Sequence, residues 1–229
     1  MRTVLTDFHN SLNGVRDVAD HIDSEVGAAL ASSVILARHE FMQSAATVIL
    51  SGFFESFLKG VAEKCIASVC LLNKPFSSLP VKMRNAHYQF GASALAQRAR
   101  DDGAGRPSRI IATASDLSFR LSSVASLPYS LVWEAFAETH SNPGSQTVAQ
   151  YLKRYGIQSP WAKIERKSGR SASILKLQLG SFLYLRNECA HTGTAKIIPT
   201  TNDIRQFAVV LETLADAITE ILEELVAAI

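Results

Sequence analysis

Apolar residues recur at helical spacing in long stretches at both ends of this chain, and this pattern most constrains its fold. The stretches cover residues 1–23, 27–72, 173–190 and about 201–229. Apolar side chains at every third or fourth position give each predicted helix a face that must pack against another element. Two pairs of such helices predict an all-α protein built around a four-helix bundle.

The middle of the chain is less regular. Prolines at 75 and 80 end the second helix, and a short helix is predicted from Pro143, capped by Asn142, to Tyr155, where Gly156 stops it. Gly193 is the predicted cap at the end of the helix over residues 173–190, and Thr200 or Thr201 is predicted to cap the start of the last helix. We therefore predict one domain over residues 1–229. Its bundle helices lie within about 1–72 and 172–229, and a helical insertion occupies about 73–171.

The composition excludes several classes of protein. The net charge is only +2, so an anionic partner has to meet a local basic patch. The three cysteines form no CxxC pair, which predicts reduced thiols in a cytoplasm and no zinc site. We find no long uninterrupted apolar run, P-loop or metal-protease motif, so no membrane contact, metal or cofactor is expected.

The helix over residues 173–190 carries an arginine on its apolar face. Arg186 projects near the middle of a stripe formed by the following apolar residues: Leu175, Leu179, Phe182, Leu183, Cys189 and Ala190. A guanidinium stays charged and is costly to bury unpaired. Arg186 therefore needs a carboxylate, a partner subunit or an anionic ligand. An ordinary alternative is one structural salt bridge, with His191 capping the last carbonyls.

Asn187 and His191 are four residues apart and share a neighbouring face of this helix. In a straight helix Arg186 and His191 point in different directions. They can meet if the helix frays at Gly193, if Arg186 swings its side chain round, or if a second copy of the chain completes the site.

The stretch YLRNECAHTG resembles the hallmark motif of the HEPN superfamily, in which an arginine, often followed by Asn or Asp, precedes a histidine. Arg186, Asn187, Ala190 and His191 match this pattern, while Thr192 stands before the glycine that commonly follows the histidine. The segment FFESFLKG is similar to the Glu-plus-aromatic segment of larger members of the RiboL-PSP type. SNPGSQTVAQYLKRYGI resembles an element of their insertions.

The resemblance implies a metal-independent endoribonuclease that acts as a homodimer with composite sites, often a toxin or phage-defence effector with an antitoxin or other partner protein. It implies that Arg186 holds the phosphate, that His191 transfers protons, and that Asn187 and Glu55 support them. The alternative is a catalytically silent module for RNA binding or protein association.

Two carboxylates and one further histidine have competing interpretations. Glu55 matches the acidic residue of the family segment, yet it also stands four residues before Lys59, a spacing typical of a surface ion pair. Glu40 is a second candidate partner for Arg186. His39 is interpreted as a hydrogen-bonded core histidine.

A basic segment precedes the motif helix, and we predict that it contacts RNA. Its candidate residues are Lys153, Arg154, Lys163, Arg166, Lys167 and Arg170. Tyr151, Tyr155 and Trp161 are interleaved with them, and cations beside stackable aromatic rings suit single-stranded RNA. The alternative is an ordinary solvated surface.

Overall fold

The computed structural model describes residues 1–28, 33–102, 107–125, 127–139, 143–192 and 197–229. Its α-helices, in chain order, are α1 (Arg2–Ala28), α2 (Ser33–Leu71), α3 (Val81–Asp102), α4 (Pro107–Ser122), α5 (Glu134–Ala137), α6 (Ser145–Arg154), α7 (Pro160–Ser168), α8 (Ala172–Thr192) and α9 (Thr201–Ala228). These described ranges contain no β-strand. The all-α prediction is confirmed.

Helices α1, α2, α8 and α9 form the bundle. The central pair is α2 and α9, which contact each other; α1 packs on both from one side and α8 packs on both from the other. Helix α2 is long and apolar enough by composition to suit a membrane span as well, but half of that stretch is buried inside the protein. Its contacts with α1, α5, α8 and α9 account for its apolar character.

The insertion packs onto the bundle. Helices α3 and α4 form a hairpin, α5 lies between α3 and α2, and α7 packs against α9. Buried residues of the bundle and of the insertion belong to the same hydrophobic cluster. The insertion therefore shares a hydrophobic core with the bundle, and its helices lie against α2, α8 and α9.

Three predicted helix ends differ from the structure: the end of α1, the start of α2 and the start of α6. The first helix continues through Gly27 to Ala28, so Gly27 belongs to α1 and not to the start of α2. One glycine disfavours a helix by only about 1 kcal/mol, which tertiary packing outweighs. Helix α6 begins at Ser145 with Gly144 as its N-cap, two residues later than the proline signal indicates.

Two end signals correctly indicate where helices stop or start. Gly156 follows α6 with a positive φ of 86°, a backbone conformation that favours glycine. Thr200 caps α9: its hydroxyl accepts a hydrogen bond from the Asp203 amide at 3.1 Å, and the Asp203 carboxylate accepts one from the Thr200 amide at 2.9 Å. The predicted cap residues Asn142 and Gly193 lie outside the described residues.

The end of α1 is tied to α2 through one carboxylate. Glu25 Oε2 lies 2.7 Å from His39 Nε2 and also accepts from Arg38, while His21 Nε2 lies 3.5 Å from Glu25 Oε1. His39 is buried, so the interpretation of this residue as a hydrogen-bonded core histidine is confirmed. These hydrogen bonds, first that of His39 and then that of Arg38, lower the pKa of Glu25 below its ordinary value.

We expect this carboxylate to make the fold sensitive to acid. Because folding lowers the pKa of Glu25, its contribution to stability is present above its ordinary pKa and is lost as the pH falls through the folded pKa. Glu25→Gln should therefore flatten the decline in melting temperature on acidification, as measured by circular dichroism. Glu40→Gln, on an exposed carboxylate of α2, is the matched control. An unchanged decline in Glu25→Gln would contradict the assignment.

Candidate functional site at the end of the eighth helix

Helix α8 presents one buried face to the bundle and ends at the motif residues. Leu175, Leu179, Phe182 and Cys189 are buried on the inner face. The ring of Phe182 packs against that of Phe207 of α9, with centroids 5.1 Å apart. This packing sets the rotation of α8 about its axis and so decides where each motif residue points.

Arg186 is half-buried on the edge of that inner face. Its Nη1 donates a hydrogen bond to Asn187 Oδ1 at 3.2 Å. Its Nε is buried and has no hydrogen-bond partner among the described residues. None of the ion pairs of the described ranges includes Arg186. The guanidinium is therefore partly desolvated without a carboxylate to offset its charge, a state that is unfavourable unless an anion or a second chain meets it.

Neither candidate carboxylate contacts Arg186. Glu55 accepts a hydrogen bond from Lys59 Nζ at 2.7 Å, which is the surface pair that the four-residue spacing indicates. Glu40 is exposed on α2. No ion pair joins either residue to Arg186 in the described part of the chain, because the carboxylates of α2 face other partners or solvent.

His191 is exposed in the last turn of α8. Five residues of helix turn its direction from that of Arg186 by about 140°, so the two Cα–Cβ bonds diverge as the sequence predicts. The Arg186 side chain nevertheless reaches round to Asn187, which shares a face with His191. No hydrogen bond joins Arg186 to His191 among the described residues, so the three ways of bringing them together stay predictions.

A family model supplies independent evidence on this chain. The RiboL-PSP-HEPN model matches residues 11–224, which include the whole insertion and nearly all of the bundle. The chain belongs to the RiboL-PSP-HEPN family. No curated protein and no solved structure matched the chain. Membership of this family agrees with the all-α bundle and is compatible with a nuclease-like or RNA-related function.

The aromatic residues of the basic segment are part of the core of this RiboL-PSP-HEPN protein. Tyr151 and Tyr155 are both fully buried, and Tyr151 Oη donates a hydrogen bond to the Leu58 carbonyl at 2.9 Å. Trp161 is also buried. Their expected stacking on RNA bases is therefore wrong. Val148, Tyr151, Leu152 and Tyr155 recur at helical spacing, and that periodicity is the signal that indicates core.

The six basic candidates fall into different environments. Arg154 is buried, and its Nη1 donates to the Glu138 carbonyl at 2.6 Å, so groups of the protein itself hold its guanidinium. Lys167 pairs with Glu220 and Glu224 of α9, and Arg170 donates to Thr213 Oγ1 at 3.2 Å. The exposed members are Lys153 and Arg166, and Lys163 is half-buried.

Cysteine side chains in this RiboL-PSP-HEPN protein are packing residues. Cys65 and Cys189 are buried, and burial raises the pKa of the Cys65 thiol to about 12. Burial also raises the pKa of Cys70. A thiol held protonated is a poor nucleophile and a poor metal ligand. Among the described residues, no group of His, Cys, Asp or Glu side chains is placed to hold a metal ion.

The outer face of α8 carries apolar side chains that sequence reasoning missed. Leu177 and Tyr184 are 72% and 60% exposed, and Ile197, just before α9, is 70% exposed. They border an open groove of about 650 Å³ between α8 and the start of α9. Leu177, Tyr184 and His191 follow one another at intervals of seven residues, so this apolar strip leads along α8 to the motif. That seven-residue spacing is the signal that could have revealed it.

Proposed function

We propose that this protein is a metal-independent endoribonuclease whose site contains Arg186, Asn187 and His191 and is completed by a second copy of the chain. The observation that carries the proposal is the half-buried Arg186, whose charge no described carboxylate offsets and whose Nε has no hydrogen-bond partner among the described residues. A phosphodiester supplies the anion that this guanidinium lacks.

The residue types suit transfer of a phosphoryl group within RNA. Imidazole accepts the proton of a ribose 2′-hydroxyl, and the 2′-oxygen then bonds to phosphorus while the bond to the 5′-oxygen breaks. A second imidazole donates a proton to that leaving oxygen, which yields a 2′,3′-cyclic phosphate and a 5′-hydroxyl. Arg186 offsets the charge that develops on the phosphoryl oxygens, and Asn187 holds its guanidinium.

Two copies are needed because one chain offers one motif histidine. The exposed strip of Leu177, Tyr184 and Ile197 adjoins the motif and is the surface through which we expect the copies to associate. Such an arrangement places two copies of His191 at one interface, one acting as base and the other as acid. Glu55 accepts a hydrogen bond from Lys59 and forms no ion pair with Arg186 among the described residues, so we do not assign it a step in this mechanism.

A cytoplasmic toxin or phage-defence effector with an antitoxin partner is the biological role that we propose for such an enzyme. The test is incubation of purified protein with RNA in the presence of a chelator, followed by analysis of the new ends. Fragments with 2′,3′-cyclic phosphate termini are expected. Complete absence of cleavage, on RNA of several sequences, would contradict the proposal.

A silent RNA-binding or protein-association module is the second candidate. His191 is exposed, and its ring makes no hydrogen bond with another described residue that would orient it, which favours the module. Binding of RNA without any cleavage, unchanged in His191→Ala, would support this alternative.

The substitution Arg186→Met distinguishes a catalytic role of Arg186 from a structural one. Because no described carboxylate pairs with Arg186, the substitution leaves no buried anion behind, and we expect stability to stay the same or to rise. Cleavage should fall by about a hundredfold to a thousandfold, the range for loss of one group that stabilises a developing oxyanion. Urea unfolding and the RNA cleavage rate are the two measurements. A stability loss as large as that of a broken buried ion pair would instead indicate a structural arginine.

A further inference from the structure

A groove with cationic and carboxamide side chains in its walls lies between α3 and α6, away from the motif on α8. It encloses about 420 Å³ and is lined by Lys82, Asn85, Ala86, Gln89, Phe90, Gln150, Lys153 and Arg154. No acidic residue is among its described lining residues, and the carboxylate of Glu138 reaches Arg154 from behind the lining. Of this lining, the sequence singles out only Lys153 and Arg154.

Polar side chains line the α3 side of the groove at helical spacing. Lys82, Asn85 and Gln89 lie at intervals of three or four residues on one face of α3, and Phe90 follows Ala86 by four. Lys82, Asn85 and Gln89 are exposed on this face, beside buried Ala86. Gln150, Lys153 and Arg154 repeat the pattern on α6.

The far wall of the groove is held rigidly. Arg154 is fixed by two hydrogen bonds to Glu138, to the carbonyl at 2.6 Å and to Oε2 at 3.3 Å. Its guanidinium carbon lies 4.8 Å from the centre of the Phe90 ring. This cation–π contact holds both side chains in place, so the two exposed lysines flank a preformed surface.

We propose that this groove between α3 and α6 is a second binding site for single-stranded RNA, separate from the cleavage site. Lys82 and Lys153 would bind phosphate, and the carboxamides of Asn85, Gln89 and Gln150 would pair with base edges. Carboxamides offer both a donor and an acceptor, as base edges do. The preference for a phosphate ester rests on the groove itself, whereas the choice of RNA rests on the proposed ribonuclease function.

A neighbouring cavity supports the choice of this groove over others. It lies on the other side of Phe90, encloses about 500 Å³, and has Glu134 and Glu138 in its walls. Carboxylates repel a phosphate chain, so an RNA backbone near Phe90 is directed to the side of Lys82 and Lys153. We therefore expect the RNA to bind in the groove between α3 and α6 and not in this neighbouring cavity.

The test measures binding of a fluorescent twelve-nucleotide RNA of mixed sequence to His191→Ala protein, which keeps the probe uncut. Adding Lys82→Ala and Lys153→Ala should lower the slope of log affinity against log salt by about 1.4, because each phosphate contact contributes about 0.7 on single strands. The same relation predicts an affinity about 25-fold weaker at 0.1 M salt. Lys64→Ala with Lys74→Ala removes the same charge outside the groove and is the matched control.

A second variant tests the groove without shortening a side chain. Gln89→Glu keeps the volume of this exposed residue and adds a negative charge to the lining, so it should weaken RNA binding. Gln158→Glu, also exposed but outside the groove, should not. If the groove variants bind RNA as tightly as their controls, the inference is wrong even if the wild-type protein cleaves RNA.

The proposal that the groove binds RNA can fail or hold independently of the proposal that the protein cleaves RNA. If the wild-type protein fails to cleave but the groove variants still lose RNA binding, the ribonuclease proposal fails and the groove stands. Titration with 5′-AMP distinguishes a small phosphorylated ligand from RNA. Groove-dependent binding of 5′-AMP with no effect of the groove variants on RNA would overturn the inference.

Discussion

His191→Ala should abolish RNA cleavage and leave the fold unchanged. Loss of a side chain that transfers a proton in the transition state lowers a rate by about a hundredfold to ten-thousandfold. His191 is exposed at the end of α8, so its truncation creates no cavity and breaks none of the hydrogen bonds of the described residues. The measurement is the initial rate of RNA cleavage without added metal, beside the circular dichroism melting curve of the same protein.

The control for this experiment is His21→Ala. His21 is also an exposed helical histidine, but it lies on α1, where it is 3.5 Å from Glu25. This variant should cleave RNA at the wild-type rate. Equal rates in wild type, His21→Ala and His191→Ala would show that any cleavage comes from other residues or from a contaminant, and the proposed site would be abandoned.

A mixture of wild-type protein and His191→Ala can test whether the site is shared between copies. A mixed dimer of the two contains one intact imidazole and lacks the other. If one site uses His191 of both chains, as base and as acid, we expect mixed dimers to be nearly inactive, so an excess of His191→Ala should suppress cleavage by the wild-type chain. Cleavage in proportion to the number of intact chains, with mixed dimers shown to form, would place a complete set of catalytic residues within each chain.

Phe54→Ala should destabilise the protein by about 3–5 kcal/mol, the range for removing a buried phenylalanine. Phe54 is fully buried on α2, and its ring packs on those of Phe8 and Phe57, with centroids 6.1 Å away in both cases. The substitution removes an aromatic side chain from the contact between α1 and α2 and leaves a cavity that the surrounding helices fill only in part. Urea unfolding followed by fluorescence or circular dichroism measures the effect.

Phe41→Ala is the matched control for this prediction. Phe41 lies on the same helix but is 64% exposed, so its loss should change the free energy of unfolding by no more than about 0.5 kcal/mol. A similar loss of stability in both variants would mean that the exposed face of α2 is covered in solution. A small loss in Phe54→Ala would contradict the position of this residue in the core.

The sequence alone predicts the helices well because their apolar spacing is a local property. The four bundle helices, the cap at Thr200 and the stop at Gly156 follow from residues within one or two turns of each position. Where prediction of a boundary is wrong, at Gly27 and at Pro143, a weak local signal competes with packing from distant residues. Local preference is worth about 1 kcal/mol at such positions, and tertiary contacts exceed it.

The candidate site residues differ in how far the sequence reveals their surroundings. Arg186 is recognisable as a candidate because a helical wheel shows its charge on an apolar stripe. The environment of Arg154 is not recognisable, because Glu138 approaches it from a different helix. The burial of Tyr151 depends on Leu58, which is 93 residues away in the chain. Lys82, Asn85 and Gln89 form a groove only because α6 packs beside α3.

The sequence by itself determined the helical class, the four bundle helices and the place of the Arg186, Asn187 and His191 motif at the end of one of them. These features depend on periodicity and short spacings, which a single helix already expresses. Only the tertiary structure decided which charges are neutralised. It pairs Glu55 with Lys59 and Arg154 with Glu138, and it leaves Arg186 without a described carboxylate. Charge pairing acts over a few ångströms, and the helices that bring those charges together are far apart in the chain.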